Sequence, residues 1–246
     1  MIAATFRTIT GRRGSFIGGA AVVFAAMLIV IAVVIVVHEL RPGRNPSTGG
    51  RGLFDGAAAV VTLLGTVVAI LIGALAGSYD AAQGTMRYLV MTGARRGQIY
   101  AARTVALVLA VWLALLPSLL LGCAAALVLP HEAADRIVLS DVGGLAWSVA
   151  LLSAVFALIS MGIGAVMRSN GAAIAISLVF FLGFTPLLLL IDRLSHTLGD
   201  LTLPNLIDRL TGADTGAPIP VAAVAIVVWV GVFWAAGRLR VQRDEY

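Results

Sequence analysis

Residues 16–37 run without a single charge and are rich in Val, Ile and Ala. That run dictates a solvent. About twenty apolar residues in a helix cross the ~30 Å hydrocarbon core of a bilayer, and only a helix or closed barrel satisfies its backbone there. Comparable runs recur near 57–77, 104–129, 142–167, 172–191 and 219–236. With 60% hydrophobic and 12% charged residues and a mean hydropathy of +1.03, a soluble globular domain is excluded. The expected fold class is all-α: a polytopic membrane protein with six transmembrane helices in a single transmembrane domain over 1–246. The first run is longer than a signal-peptide core of about 7–15 residues and lacks a cleavage pattern, so a retained span is expected.

Six spans put both termini on one side. Eleven of the 17 basic residues, all Arg, then fall on that side and six on the other, whereas nine of the twelve acids fall opposite. The positive-inside rule places both termini in the cytoplasm, in a cell-membrane protein with several spans. The 38–56 connection, an expected irregular loop with Pro42, Pro46 and five Gly, dissents by carrying Arg41, Arg44 and Arg51. Ile2, Phe6 and Ile9 have helical spacing, and this basic N-terminal segment is expected to lie as a short helix in the interface. Within the long acidic 192–218 loop, Leu206, Ile207 and Leu210 after Pro204 predict one or two helical turns dipping toward the membrane.

The stretch 78–103 differs from everything around it. It carries Arg87, Arg95, Arg96 and Arg103 against one acid, Asp80. An Arg at the centre of a span costs roughly 2.5–3.5 kcal/mol, so four together belong outside the lipid. Gly84 breaks a preceding helix, and Thr85 can cap a new one. Met86, Leu89 and Val90 then share one face, and Gly93 supplies a stop. The spacing predicts a short cytoplasmic helix hung between spans 2 and 3. Its other face carries Arg87, Tyr88 and Met91 toward a partner, and Asp80 can pair with Arg95 or Arg96 to hold the bend.

Two further patterns concern packing. Gly65, Ala69, Gly73 and Gly77 recur every four residues in span 2, a small-residue ridge that admits a neighbouring helix from this chain or a second copy. Ser160, Gly162 and Gly164 give span 4 a thin side. Pro117 and Pro186 interrupt spans 3 and 5.

Chemistry is conspicuous by its poverty. The chain has no Lys, so it has no phosphate-binding Walker loop and no nucleotide cofactor of its own. The span centres lack Asp, Glu, Arg and His, which ion-coupled transporters ordinarily use. Cys123 is alone, and His38, His131 and His196 have no metal-ligand spacing. No hydrolase motif is present. The Arg residues flank apolar runs, which points to lipid headgroups rather than nucleic acid. These absences describe a transport subunit driven from outside, not an enzyme.

Asp80, Gly84, Thr85, Arg87, Leu89, Gly93, Arg95, Arg96 and Arg103 resemble the segment between spans 2 and 3 of ATP-binding-cassette exporter permeases of the second exporter class. Length, six-span layout and the long outer loop before span 6 are similar as well. Asp80 stands where Glu is common in that family, Gln83 where an acid is frequent, and Arg103 where Lys is frequent. The resemblance implies that two such subunits, identical or paralogous, form the pathway and that two ATPase subunits dock from the cytoplasm. Asp80, Gln83, Gly84, Thr85, Arg87, Tyr88, Met91, Arg95 and Arg96 would couple to the ATPase. A non-transporting membrane scaffold and an ion-coupled secondary transporter are the alternatives; ATP-dependent flux separates both from an exporter. The aliphatic spans favour a hydrophobic or amphiphilic cargo.

Overall fold

The computed structural model describes residues 6–7, 9–11, 13–40, 48–83, 96–130, 136–184, 203–210 and 218–243. At 13, 15, 80, 203–205 and 208 only the backbone is described. In chain order the helices are α1 (Arg13–Leu40), α2 (Gly50–Gln83), α3 (Arg96–Val128), α4 (Leu139–Met167), α5 (Asn170–Val179), α6 (Leu203–Leu210) and α7 (Ile219–Arg243). A single π-helical turn, Phe180–Phe184, extends α5. No strand occurs among the described residues. Five helices are long and apolar enough to cross a membrane: α1, α2, α3, α4 and α7. The chain is therefore an all-helical, multi-pass membrane protein. The expected span 172–191 is helical as far as Phe184; 185–191 lie outside the described residues.

Helices and apolar runs do not share boundaries. Helix α2 begins at Gly50, inside the expected irregular loop, and continues past Gly77 to Gln83. Helix α3 begins at Arg96, well before 104, and α7 carries Arg238, Arg240 and Arg243 as helix rather than tail. The reason is physical. Hydropathy marks where a helix meets lipid, whereas Ala, Arg and Gln favour helix on either side of that boundary. Pro117 sits inside an uninterrupted α3, and Pro220 occupies the first turn of α7, where no donor is needed.

In lipid, helix association rests on close packing rather than on expulsion of water. Helix α2 is the hub. Successive steps of four residues rotate about 400°, so a ridge drifts by ~40° per step. The Gly65–Gly77 ridge accordingly changes neighbours along its length. Gly65 faces Leu115 of α3, while Gly73 and Gly77 lie against the Ala157 and Met161 carbonyls of α4. Ala69, between them, is fully buried. All these neighbours belong to the same chain.

Helix α4 returns the contact. A Cβ on Gly164 would strike the Ala74 carbonyl of α2, and one on Gly162 would strike the Phe233 carbonyl of α7. Residues two apart in a helix point about 200° apart. Gly162 and Gly164 therefore do not form one thin side, as the sequence suggests, but two opposite ones. They wedge the C-terminal half of α4 between α2 and α7, where every residue from Ile159 to Ala165 is buried.

The small elements cover the bundle. Phe6 and Ile9 turn onto the main apolar cluster, with Thr10 donating to the Phe6 carbonyl at 2.9 Å. Leu206 and Ile207 of α6 are buried in a second cluster with Phe156, Ile159 and Ile226. The Trp147 indole donates to the Leu210 carbonyl at 3.2 Å, fixing the end of α6 against α4.

Candidate functional site

The C-terminal end of α2 and the N-terminal end of α3 stand side by side and frame the twelve residues 84–95. Those residues include most of the expected coupling positions. Gly84, Thr85, Arg87, Tyr88, Met91 and Arg95 lie outside the described residues, as do Met86, Leu89, Val90 and Gly93. Asp80 is in the last turn of α2, with only its backbone described. Gln83 is the exposed last residue of that helix, and Arg96 is the half-buried first residue of α3. The structure thus describes the base on which 84–95 is mounted.

Arg103 holds the two stems together. Its side chain is 8% exposed, and its guanidinium donates to the Ala76 carbonyl at 3.0 Å. A cation that the sequence places with the loop is instead enclosed by helices. Arg is suited to this position because its long apolar stem packs while its planar head donates several bonds. Ala76 lies about two turns before the end of α2, and its carbonyl, already bonded along the helix, offers its second lone pair to the guanidinium.

The same end of the molecule is tied in two further directions. The Ser78 hydroxyl donates to the Ala74 carbonyl at 2.8 Å and lies 2.8 Å from the side-chain amide of Asn170, the first residue of α5. This brings α5 onto α2. Before it, Arg168 ends α4 in the left-handed region, with φ 59° and ψ −1°. Glycine usually occupies such a position, and an Arg there costs backbone strain to make the tight α4–α5 turn.

On the other flank, the Trp234 indole of α7 donates to the Thr104 hydroxyl of α3 at 2.9 Å. That hydroxyl donates in turn to the Tyr100 carbonyl at 3.1 Å. The Tyr100 and Trp234 rings pack at 5.8 Å between centroids, and the Arg238 guanidinium lies 5.2 Å from the Trp234 ring centroid. One turn earlier, Gly97 nestles against the side chains of Arg238 and Gln242. The first turns of α3 are therefore gripped by α2 on one side and α7 on the other.

This collar contains no nucleophile paired with a base, and no group of His, Cys, Asp or Glu able to hold a metal occurs among the described residues. What it can do is mechanical. Hydrogen-bonded joints tie α2, α3, α5 and α7 to one another at this end, so none of them can move there without the others. Sequence reasoning missed Ser78, Tyr100, Thr104, Asn170 and Trp234. A signal existed: six-span parity brings the end of span 2, the start of span 3 and the end of span 6 to one side. Polar residues there could have been matched to one another.

The opposite end has polar contacts of its own. Arg51 approaches Asp141 at 3.7 Å, and the Thr48 and Gly49 amides donate to the Pro130 carbonyl at 3.1 and 2.9 Å. Arg51 thus has an acid beside it, which softens the charge dissent of the 38–56 connection. No protein-family model matches the chain, and neither does any curated protein.

Proposed function

We propose that the chain is the membrane-spanning permease subunit of an ATP-driven exporter, with hydrolysis performed by a separate cytoplasmic ATPase. In this reading 78–103 is the coupling segment, of which 84–95 lie outside the described residues. Both termini lie in the cytoplasm, and two permease copies or paralogues line the pathway in the cell membrane. The observation that carries the reading is the braced base: α2 and α3 project past their apolar runs as adjoining stems, clamped by Arg103 and joined to α7 through Thr104. A solvated basic loop has no need of such a mounting. A segment that receives a push does, because a loose hinge would absorb the displacement before it reached the spans. The resemblance at Asp80, Gly84, Thr85, Arg87, Arg95 and Arg96 gives the push its source.

The test is reconstitution of the chain with its ATPase in vesicles and measurement of ATP-dependent flux. Charge reversal by Arg87→Glu or Arg95→Glu is expected to abolish flux while leaving the protein inserted. Normal flux in both variants, or flux that follows an ion gradient and ignores ATP, sinks the proposal. Thiol labelling of a cysteine placed at Gln83 reports which side of the membrane the stems face.

A further inference from the structure

Tyr100 is 2% exposed, and its hydroxyl has no hydrogen-bond partner among the described residues. A phenol buried this way gives up its bonds to water and receives none from the described residues in return. Two other buried hydroxyls, on Ser118 and Ser177, also have none among the described residues. A helical serine, however, can rotate onto the carbonyl four residues earlier. A tyrosine hydroxyl is too far from its own backbone for that remedy, so Tyr100 calls for another explanation.

Its surroundings supply one. A Cβ on Gly237 of α7 would strike the Tyr100 hydroxyl, and would also lie 3.1 Å from the Gly162 Cα and 3.2 Å from the Ala165 Cβ of α4. Gly162 in turn presses on the Phe233 carbonyl. The hydroxyl, two glycines, an alanine and one carbonyl thus form a single knot where α3, α4 and α7 meet. The residues at the crossing itself, Gly162, Ala165 and Gly237, are small, so a slight shift of α7 there displaces no bulky side chain of its own, although Trp229 and Phe233 pack with Phe156 and Ile159 of α4 alongside. The Phe233 carbonyl already takes the helical N–H of Gly237, and its second lone pair can accept another donor.

We propose that Tyr100 is a positioning residue for a second placement of α7, in which its hydroxyl donates to the Phe233 carbonyl. The placement seen here keeps the Trp234–Thr104 bond and leaves the phenol without a partner among the described residues. The second satisfies the phenol. The two hydroxyls, one turn apart on α3, favour different positions of the last span, and the exporter reading enters only through the effect on flux.

Tyr100→Phe keeps the ring against Trp234 and removes the hydroxyl. In the purified chain it is expected to melt ~2–4 °C higher, because the placement seen here loses a buried unpaired group. Gly97→Cys with Gln242→Cys, in a Cys123→Ala background, reports α7 through a short bifunctional thiol reagent in vesicles. Tyr100→Phe is expected to raise cross-linking about twofold by populating that placement. Thr104→Val breaks the competing bond and is expected to move both readouts the other way. A melting point at or below that of the parent, unchanged cross-linking, or Thr104→Val moving in the same direction overturns the proposal. With the ATPase present, Tyr100→Phe is expected to lower flux ~10-fold while ATPase binding holds; unaltered flux also overturns it. Absence of ATP-driven flux in the parent chain sinks the exporter reading instead, and melting and cross-linking then decide the two placements alone.

Discussion

The two ends of α4 live in different worlds. From Ile159 to Ala165 it is buried on all sides and approached by backbone from two helices. Near its start, Leu139 is 84% exposed, and Gly143 and Gly144 have only open space where a Cβ would sit. Among the described residues, one helix is thus a tightly packed wedge at the end where α2 and α3 frame 84–95 and a more open rod at the other. Such a gradient suits a device driven from one end. The driven end must be stiff to pass on force, and the far end can change its spacing without breaking a packed core.

The sharpest way to break this contrast is to put the same bulk at both ends. Gly77→Leu drives a side chain into the Met161 carbonyl and is expected to cost about 3 kcal/mol or more, with loss of monodisperse protein in detergent. Gly144→Leu meets nothing and is expected to stay within ~0.5 kcal/mol of the parent by thermal unfolding. Comparable losses at both sites would mean that the asymmetry does not exist in the membrane.

The second effect in size concerns the clamp between the stems. Arg103→Ala removes a charge-assisted bond and the packing of a buried stem, for an expected loss of about 2–3 kcal/mol. Arg103→Lys retains the cation without the planar fork and is expected to lose less. Equal loss in the two variants would assign the effect to the guanidinium fork itself, since Lys keeps both an apolar stem and the charge, and no loss in either would remove Arg103 from the base.

The sequence made the spans legible because charge-free runs such as 16–37 report contact with lipid directly. It left two things unread. Helix ends at Gln83 and Arg96 fall in polar sequence, where hydropathy is silent and propensity is weak. Partners were the other gap. The Gly65–Gly77 ridge announces close approach without naming who approaches, and its drift from Leu115 to Met161 emerges only once three helices are placed. Arg103 shows the same limit. Its charge argues for water, yet the Ala76 carbonyl supplies what water would have given. The expected coupling positions from Gly84 to Arg95 rest on helical spacing and resemblance alone, being outside the described residues.

A smaller effect sharpens the account of α7. Trp234→Phe keeps most of the ring but removes the donor to Thr104, and is expected to cost about 1 kcal/mol. Combined with Thr104→Val, the losses should fall short of additive, with a coupling of roughly 0.5–1.5 kcal/mol in a double-mutant cycle. Strict additivity would mean that the indole and hydroxyl contribute separately, and α7 would then be held by its glycine contacts.

The weakest expected effect lies at the open end, and its smallness is the point. The Arg51–Asp141 pair is 3.7 Å apart, and the Arg51 side chain is 59% exposed. Water competes for both charges, so Arg51→Ala is expected to cost about 0–1 kcal/mol. Salt at ~1 M shortens screening to about 3 Å and should erase even that difference, whereas the Arg103 loss, made in a buried setting, should survive it. Thermal unfolding of both variants at low and high salt measures this directly. A salt-resistant loss at Arg51 matching the one at Arg103 would make the two ends equally stiff, and the push proposed above would then have no softer end to move.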